Sequence, residues 1–222
     1  MTRHAESSHV PSSGRRRAAR PARLCVFISG AGRTLINLHE AIEIGDLDAT
    51  IELVVASGPC PGVERARSAG LRVVIEDAPS DPSRIKNLLG QHRIDWIVLA
   101  GYRRLLPIPP GFECRTVNIH PALLPDFGGH GMYGRRVHQA VIDAGRVVSG
   151  CTVHHCDDQY DHGKVVLQLT CPVLPGDTPD TLADRVYALE CRAYPLALQG
   201  LITAWQARGA SPAGPPPTGS LP

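Results

Sequence analysis

The chain has 222 residues, of which 43% are hydrophobic and 20% are charged, and its net charge is only +2. These values are typical of a globular protein with a core of ordinary size, and they exclude a strongly basic nucleic-acid-binding protein. No stretch approaches the roughly 20 apolar residues of a membrane span. The seven cysteines form no C-x-x-C pair, which indicates reduced thiols and a cytoplasmic location.

The two ends of the sequence differ in composition from the middle. Residues 1–22 contain five arginines and one acidic residue, whereas residues 209–222 contain five prolines and no apolar periodicity. Such segments bury too little apolar surface to fold. The sequence therefore predicts a disordered basic tail over 1–22, one domain over 23–208 and a disordered proline-rich tail over 209–222.

Strands and helices alternate in the first half of the domain. Strands are predicted at 23–29, 50–57, 72–77 and 95–101, and helices are predicted at 33–45, 62–70 and 81–92, the last capped by Asp81. This alternation predicts a parallel sheet whose ligands lie at the carboxyl ends of the strands.

The second half of the domain has a different pattern. It contains a strand at 116–120, a helix at 134–144, two strands at 149–157 and 163–173, and a long helix at 181–208 that Pro195 is expected to kink. The short connection between the last two strands favours an antiparallel pair. The predicted fold class is α/β, an open sheet with a Rossmann-like parallel first half, helices on both faces and antiparallel closing strands.

The turn S-G-A-G-R-T at 29–34 follows the first strand. Amide groups at a helix N-terminus and glycines that permit close approach favour an anion site. A dinucleotide fingerprint would need glycine where Leu35 stands, the second strand ends without an acidic residue, and no Gly-Lys-Ser/Thr occurs. The turn is therefore predicted to bind a monophosphate, and a plain tight turn is the alternative.

Polar residues end the strand at 116–120, where Asn118 and His120 share one face because a strand has period two. Asparagine can donate a hydrogen bond to an oxyanion, and histidine can exchange a proton near neutral pH. A structural, hydrogen-bonded histidine is the alternative. The loop must turn sharply beside His120, so the Leu124-Pro125 bond is expected to be cis.

Two further segments are candidates for a site. Asp161 precedes a glycine turn between two strands, where its carboxylate could polarise a histidine or a water molecule, although aspartate is also a common turn residue. Residues 101–107 leave the fourth strand and could contact a flat ligand, and a simple strand exit with two solvated arginines is the alternative.

Histidine and cysteine are crowded in the second half of the chain, which raises the alternative of a metal site. The residues concerned are His120, His130, His138, Cys151, His154, His155, Cys156 and His162. None has the spacing of H-E-x-x-H or C-x-x-C, and His154 and His155 point to opposite faces of a strand. We therefore predict no metal, and catalytic zinc remains the weaker alternative.

Six stretches occur together and in an order typical of one known family. They are CVFISGAGRTLINL, ELVVASGPCPGVERAR, IDWIVLAGYRRLLP, VNIHPALLP, SGCTVHHCDDQYDHGKVVLQ and VYALECRAYPLAL. Together they resemble the phosphoribosylglycinamide formyltransferase family over residues 23–208. The N-x-H-P-x-L-L-P string with a later D-x-G is typical of folate-dependent formyltransferases, and the glycine loop and last helix narrow the resemblance to the glycinamide branch.

The resemblance implies a formyltransferase-type sheet, the formyl donor 10-formyltetrahydrofolate and no metal. It implies a catalytic set of Asn118, His120 and Asp161. It implies that the substrate phosphate and ribose are bound by Gly32, Arg33, Thr34, Tyr187 and Glu190. It implies that the folate contacts Asn118, Arg103, Arg104, Leu105, Leu106 and the loop residues Asp157, Asp158, Gln159, Tyr160 and Asp161.

The chain departs from the family pattern at the phosphate loop, where Gly-Ser-Asn is replaced by Gly-Arg-Thr. Arg33 can strengthen anion binding through a bidentate contact or can indicate a different substrate. The alternatives are therefore a folate-dependent formyltransferase for another amine, a non-catalytic relative that binds folate or phosphate, and, more weakly, a nicotinamide reductase. The expected partners are a phosphorylated amine and folate, with no nucleic acid and no membrane, and the chain is expected to be a monomer or homodimer.

Overall fold

One seven-stranded sheet forms the centre of the molecule in the computed structural model, which describes residues 20–76 and 81–209. The strands are β1 (Ala22–Ile28), β2 (Ala49–Ala56), β3 (Val73–Ile75), β4 (Trp96–Leu99), β5 (Thr116–His120), β6 (Val148–His155) and β7 (Val165–Pro172). The helices are α1 (Arg33–Glu43), α2 (Pro61–Ser68), α3 (Pro82–Gln91), α4 (Arg135–Asp143) and α5 (Pro179–Ala207). Within the described ranges, no helix combines the length and the hydropathy that crossing a bilayer would require.

The strand order is β3-β2-β1-β4-β5-β6-β7. Strands β1 to β5 are parallel to their neighbours, whereas β6 pairs antiparallel with both β5 and β7. The predicted α/β class with an antiparallel closing pair is confirmed. The order reverses between β1 and β4, so a crevice opens at their carboxyl ends, where ligands bind in such sheets.

The strand β1 is buried on both faces, as its continuous apolar sequence predicts. Leu24, Val26 and Ile28 pack against α1, α2 and α5. Cys25 and Phe27 pack on the other face against α3 and the segment that follows β4. Helices therefore cover both faces of the sheet, and its carboxyl edge is left accessible.

Strand β1 begins one residue earlier than the sequence predicted. Ala22 is buried in β1, and Arg20 pairs with the buried carboxylate of Asp95 at 2.6 Å, which ties the chain down before residue 23. Residues 20–22 therefore contact the folded part of the chain. The remaining tail predictions fall on residues 1–19 and 210–222, which lie outside the described residues.

Every predicted element is present, and its ends lie within about two residues of the predicted positions. Strand β5 spans the predicted 116–120, the Asp81 side chain caps α3 by accepting from Ser83 N at 2.8 Å, and the Leu124-Pro125 bond is cis as expected. Strand β4 was predicted to reach residue 101 but ends at Leu99, because Gly101 turns the chain away with φ 73°.

The last helix, α5, is anchored to the sheet by one buried hydroxyl group. Tyr194 is fully buried and donates its O–H to the carbonyl groups of Leu99 at 2.9 Å and Val117 at 3.1 Å. These carbonyls belong to β4 and β5, so the helix is fixed against the two strands that lead into the crevice. The helix continues through Pro195, and the predicted kink there stays a prediction.

Tyr194→Phe is expected to lower the free energy of unfolding by about 1–3 kcal/mol, because the buried carbonyl groups of two strands would lose their donor. Urea unfolding at neutral pH measures the change. Tyr133→Phe is the matched control, since the side chain of Tyr133 is 39% exposed, and it should leave the unfolding curve unchanged. Equal effects of the two substitutions would contradict the assignment.

Candidate active site

A cavity of about 320 Å³ opens at the carboxyl edge of the sheet. Its walls come from distant parts of the sequence, namely residues 33–34, 101–103, 118–121, 129–138, 160–161 and 180–190. The turn after β1, the end of β5 and one face of α5 therefore meet at a single space. This is the crevice that the reversal of strand order predicts.

Strand β5 directs Asn118 and His120 into this cavity from the same face, as the two-residue period predicted. In the antiparallel pairing with β6, Asn118 lies opposite His154, and His120 lies opposite Thr152. Opposite residues share a face of the sheet. The buried His154 therefore reaches the site, with its Nε2 atom 3.1 Å from Asn118 Nδ2.

Asp161 lies at the centre of these side chains. Its Oδ2 atom accepts from the backbone N–H of Gly129 at 3.0 Å and lies 3.3 Å from Nδ1 of His120. Its Oδ1 atom accepts from Asn118 Nδ2 at 3.3 Å and lies 3.6 Å from Nε2 of His154. The structure thus brings together the three residues that were predicted to form the catalytic set.

Both ring nitrogens of His120 face acceptors, because Nε2 lies 2.8 Å from the carbonyl oxygen of Phe127 and Nδ1 faces Asp161. Burial lowers the pKa of His120 below its ordinary value, while the Asp161 carboxylate and the Phe127 carbonyl act to raise it. Burial alone would raise the pKa of Asp161, but the neighbouring His154 and the charge of His120 bring it below the usual range. The pair therefore holds a carboxylate beside an imidazole that is able to take up a proton.

The predicted phosphate loop approaches the cavity through Arg33 and Thr34. Gly32 caps α1 with φ 73°, and a Cβ atom there would lie 2.8 Å from the Cα atom of Gly62. The glycine is therefore required by close packing against α2. The first amide groups of α1 remain the part of the loop that suits an anion.

The α5 wall of the cavity carries the two predicted ribose-side residues, Tyr187 and Glu190. The guanidinium of Arg33 lies 3.7 Å above the centre of the Tyr187 ring and 3.9 Å from a carboxylate oxygen of Asp184. Burial raises the pKa of Glu190 to about 7, and the charge of Arg33 opposes this rise. A cation and an uncommitted carboxyl group thus stand at one end of the cavity.

The segment after β4, which was predicted to contact the folate, forms another wall of the cavity. Arg103 lines the cavity. Its guanidinium donates a hydrogen bond to the carbonyl oxygen of Ser29 at 2.7 Å, which fixes the side chain. Leu106 is buried in the core on the α3 face of the sheet, together with Cys25 and Phe27, whereas Arg104 and Leu105 are exposed. The backbone N–H of Leu105 donates to Tyr160 Oη at 2.9 Å, which joins this segment to the loop before Asp161.

The predicted folate loop contributes unequally to the cavity, since Tyr160 and Asp161 line it. Asp157 accepts from Gln159 N at 2.9 Å and lies 2.8 Å from Nδ1 of His162, contacts that shape the loop itself. Asp158 and Gln159 are exposed at the loop tip. Their predicted contact with the folate stays a prediction.

Two residues of the cavity region were missed by sequence reasoning, which placed His138 and His154 only among possible metal ligands. His138 lies on the buried face of α4 and lines the cavity, and His154 partners Asn118 and Asp161. The antiparallel register places His154, and no local sequence signal specifies that register. Among the described residues, no group of three or more His, Cys, Asp or Glu side chains has the arrangement of a metal site.

Comparison with known proteins gives concordant matches. The formyl transferase family matches residues 22–198. The chloroplastic phosphoribosylglycinamide formyltransferase of Arabidopsis thaliana is 38% identical over 198 residues, which are 85% of this chain but only 65% of the plant protein. Glycinamide ribonucleotide transformylase 1 from Symbiobacterium toebii is 33% identical with a TM-score of 0.75, covering 85% of this chain and 92% of that one. Phosphoribosylglycinamide formyltransferase from Bacillus halodurans is 31% identical with a TM-score of 0.74, and the match covers 82% of this chain and 95% of that one.

Asp161→Asn is expected to lower the pKa of His120 further, because it removes the carboxylate charge that stabilises the imidazolium. Asparagine tolerates the left-handed φ of 54° at this position, so the loop should keep its shape. The histidine titration is measured by NMR. Asp157→Asn, which removes a carboxylate from the same loop beside the exposed His162, is the control and should leave the pKa of His120 unchanged. An unchanged His120 titration in Asp161→Asn would refute the pairing.

Proposed function

The chain belongs to the formyl transferase family, in its phosphoribosylglycinamide formyltransferase group, and from this membership we propose that it formylates the primary amine of glycinamide ribonucleotide. The family implies a folate-derived formyl donor, which we propose is 10-formyltetrahydrofolate, and the reaction is a step of de novo purine synthesis. The observation that carries the proposal is the meeting of Asn118, His120 and Asp161 at one cavity that also reaches Arg33.

The acceptor amine fits the α5 side of the cavity. Its phosphate would lie at the N-terminus of α1, against Gly32, Arg33 and Thr34, where helix amides and a guanidinium favour an anion. Its ribose would lie beside Tyr187 and Glu190, which puts the amine near His120. The presence of an anion site and a proton-exchanging residue on one cavity supports a phosphorylated amine as the substrate class.

The formyl donor fits the opposite side, against residues 103–106 and the Tyr160 loop. A cavity of about 320 Å³ is at the lower end of ligand sites, so it accommodates the reacting ends of two ligands while the rest of the donor extends over exposed Leu105. The donor would supply the formyl group and receive a proton at N10 when the carbon–nitrogen bond breaks.

The proposed chemistry assigns a separate role to each catalytic side chain. Asn118 and His120 would donate hydrogen bonds to the formyl oxygen as it becomes negative during attack by the neutral amine. To do so, Asn118 exchanges its contact with Asp161 Oδ1, and His120 exchanges its contact with the Phe127 carbonyl, for the formyl oxygen. Catalytic groups commonly adjust their hydrogen bonds in this way when substrate binds. Asp161 would stabilise the charged His120 and relay the proton released by the amine.

Each hydrogen-bond donor should contribute strongly because contacts within the protein hold it in place before substrate binds. Loss of one preorganised donor to an oxyanion typically costs roughly 3–4 kcal/mol of activation free energy. His154 would keep the Asn118 amide directed by accepting one of its two hydrogens, since its Nδ1–H is already bonded to the carbonyl of His155 at 2.8 Å.

The cytoplasmic location and the monomeric or homodimeric state stay predictions.

The activity is tested with glycinamide ribonucleotide and 10-formyltetrahydrofolate by the absorbance of the deformylated folate. The wild type should turn over, and His120→Ala and Asn118→Ala should each lower kcat by roughly 100- to 1000-fold, because each removes a donor to the developing oxyanion. His39→Ala is the control, since His39 lies on α1 away from the cavity lining, and it should keep wild-type kcat.

Other outcomes of this assay separate the alternatives. Formylation of another amine with none of glycinamide ribonucleotide would assign a different acceptor, in agreement with the replacement at Arg33. Folate binding without turnover of any amine would favour a non-catalytic relative. Full activity of His120→Ala would refute the proposed chemistry.

Glu190→Gln is expected to flatten the pH dependence of the acceptor KM between pH 6 and 8. Burial raises the pKa of Glu190 to about 7, so in the wild type the carboxylate that accepts from the ribose hydroxyls forms as pH rises through this range. Between pH 6 and 8, the acceptor KM of the wild type should fall by roughly three- to tenfold more than the acceptor KM of the variant. The ligand's own ionisations are common to both proteins, so identical profiles would exclude Glu190 from acceptor binding.

A further inference from the structure

His138 is a buried histidine that lines the cavity and is not used by the chemistry proposed above. Its side chain is 4% exposed, on the face of α4 that also buries Val137 and Val141. Its Nδ1 atom is buried without a hydrogen-bond partner, and neither ring nitrogen bonds to any group within residues 20–76 and 81–209. A buried polar group without a partner destabilises a fold, so a ligand that supplies one would bind favourably.

The surroundings of His138 contrast with those of the other histidines of the site. His120 contacts Phe127 and Asp161, and His154 contacts Asn118 and the carbonyl of His155, so both are satisfied within the protein. A second group without a hydrogen-bond partner is the hydroxyl of Tyr102, which lies beside Phe27 on the side of the cavity proposed for the formyl donor. Of these two groups, His138 is the one on the side proposed for the acceptor amine.

The position of His138 identifies the part of the ligand that it can meet. His138 lines the cavity together with His120 and with Asp180 at the start of α5, so a ligand in the cavity that reaches His120 also passes near His138. The amine of the acceptor is expected at His120 and its phosphate at Arg33. The portion between them carries the sugar hydroxyls and an amide.

The charge state of His138 suits a neutral hydrogen-bonding role. Burial lowers its pKa to about 4, the charge of His120 lowers it as well, and Asp180 opposes them. At neutral pH the ring is therefore uncharged, with one N–H donor and one acceptor nitrogen. Such a group is a poor base for the amine but a good partner for a hydroxyl group, which can both donate and accept.

We propose that His138 is an acceptor-binding residue, which hydrogen-bonds the polar, hydroxyl-bearing middle of the phosphorylated amine between its phosphate and its amine. The identity of that ligand rests on the proposed function. The interaction explains why a histidine occupies the buried face of α4, where the neighbouring positions are valines.

The kinetic test compares His138→Phe and His138→Gln with the wild type. His138→Phe should raise KM for glycinamide ribonucleotide about tenfold, because one hydrogen bond to the ligand is lost, and should leave KM for 10-formyltetrahydrofolate unchanged. His138→Gln keeps a donor and an acceptor and should hold the acceptor KM within about threefold of the wild type. Equal rises for Phe and Gln, or a rise in the donor KM instead, would overturn the proposal.

Val141→Ala is the matched control for damage to α4. Val141 is buried one turn along the same helix face but does not line the cavity, so its truncation should lower Tm without changing the acceptor KM. An increase in acceptor KM in Val141→Ala that equals the increase in His138→Phe would reduce His138 to a structural role and refute the proposal.

A binding readout separates failure of this inference from failure of the proposed function. In the wild type, titration with ribose 5-phosphate should shift the ¹⁵N resonances of the His138 ring, and the shift requires no turnover. If the wild type does not formylate glycinamide ribonucleotide but the His138 resonances shift, the proposed function fails and the binding role stands. If the resonances do not move on saturation with ribose 5-phosphate, the binding role is refuted whatever the activity.

Discussion

The carboxylate of Asp161 is the interaction on which the arrangement of the site depends. It connects the loop at Gly129, the end of β5 and the buried histidine of β6, three segments that are far apart in the sequence. A buried carboxylate is costly unless several partners share it, and buried donors are equally costly without an acceptor. The groups therefore stabilise one another as a set, and this network holds Asp161 in its left-handed conformation with φ 54°.

The change from parallel to antiparallel pairing in the sheet explains how the network can form. The order of β1 and β4 opens a crevice at the carboxyl edge, which a parallel sheet provides on its own. Strand β6 then runs back along β5, so the last residues of β6 lie opposite Asn118 on the same face. The chain that leaves β6 returns through the loop ending at Asp161, which closes over the residues that β5 presents.

Helix α5 couples the stability of the fold to the geometry of the cavity. Tyr187, Glu190 and Tyr194 are spaced three and four residues apart and therefore lie along one side of the helix. The first two line the cavity, and the third fixes the helix to the carbonyl groups of β4 and β5. The α5 wall of the cavity is thus held at a fixed distance from the strand that carries Asn118 and His120.

Features that arise from neighbouring residues could be predicted from the order of amino acids alone. Apolar runs, glycine turns and caps located most elements, and the two-residue period of a strand put Asn118 and His120 on one face. Only the tertiary structure decided which distant groups meet. In the folded chain His154 lies beside Asn118, and both ring nitrogens of His120 face acceptors. His138 lies at the cavity without a partner, and Gly32 packs so closely against α2 that no side chain fits there. The physical reason is that strand register and helix packing are set by the whole core, so contacts between residues far apart in the chain leave no signal at either residue alone.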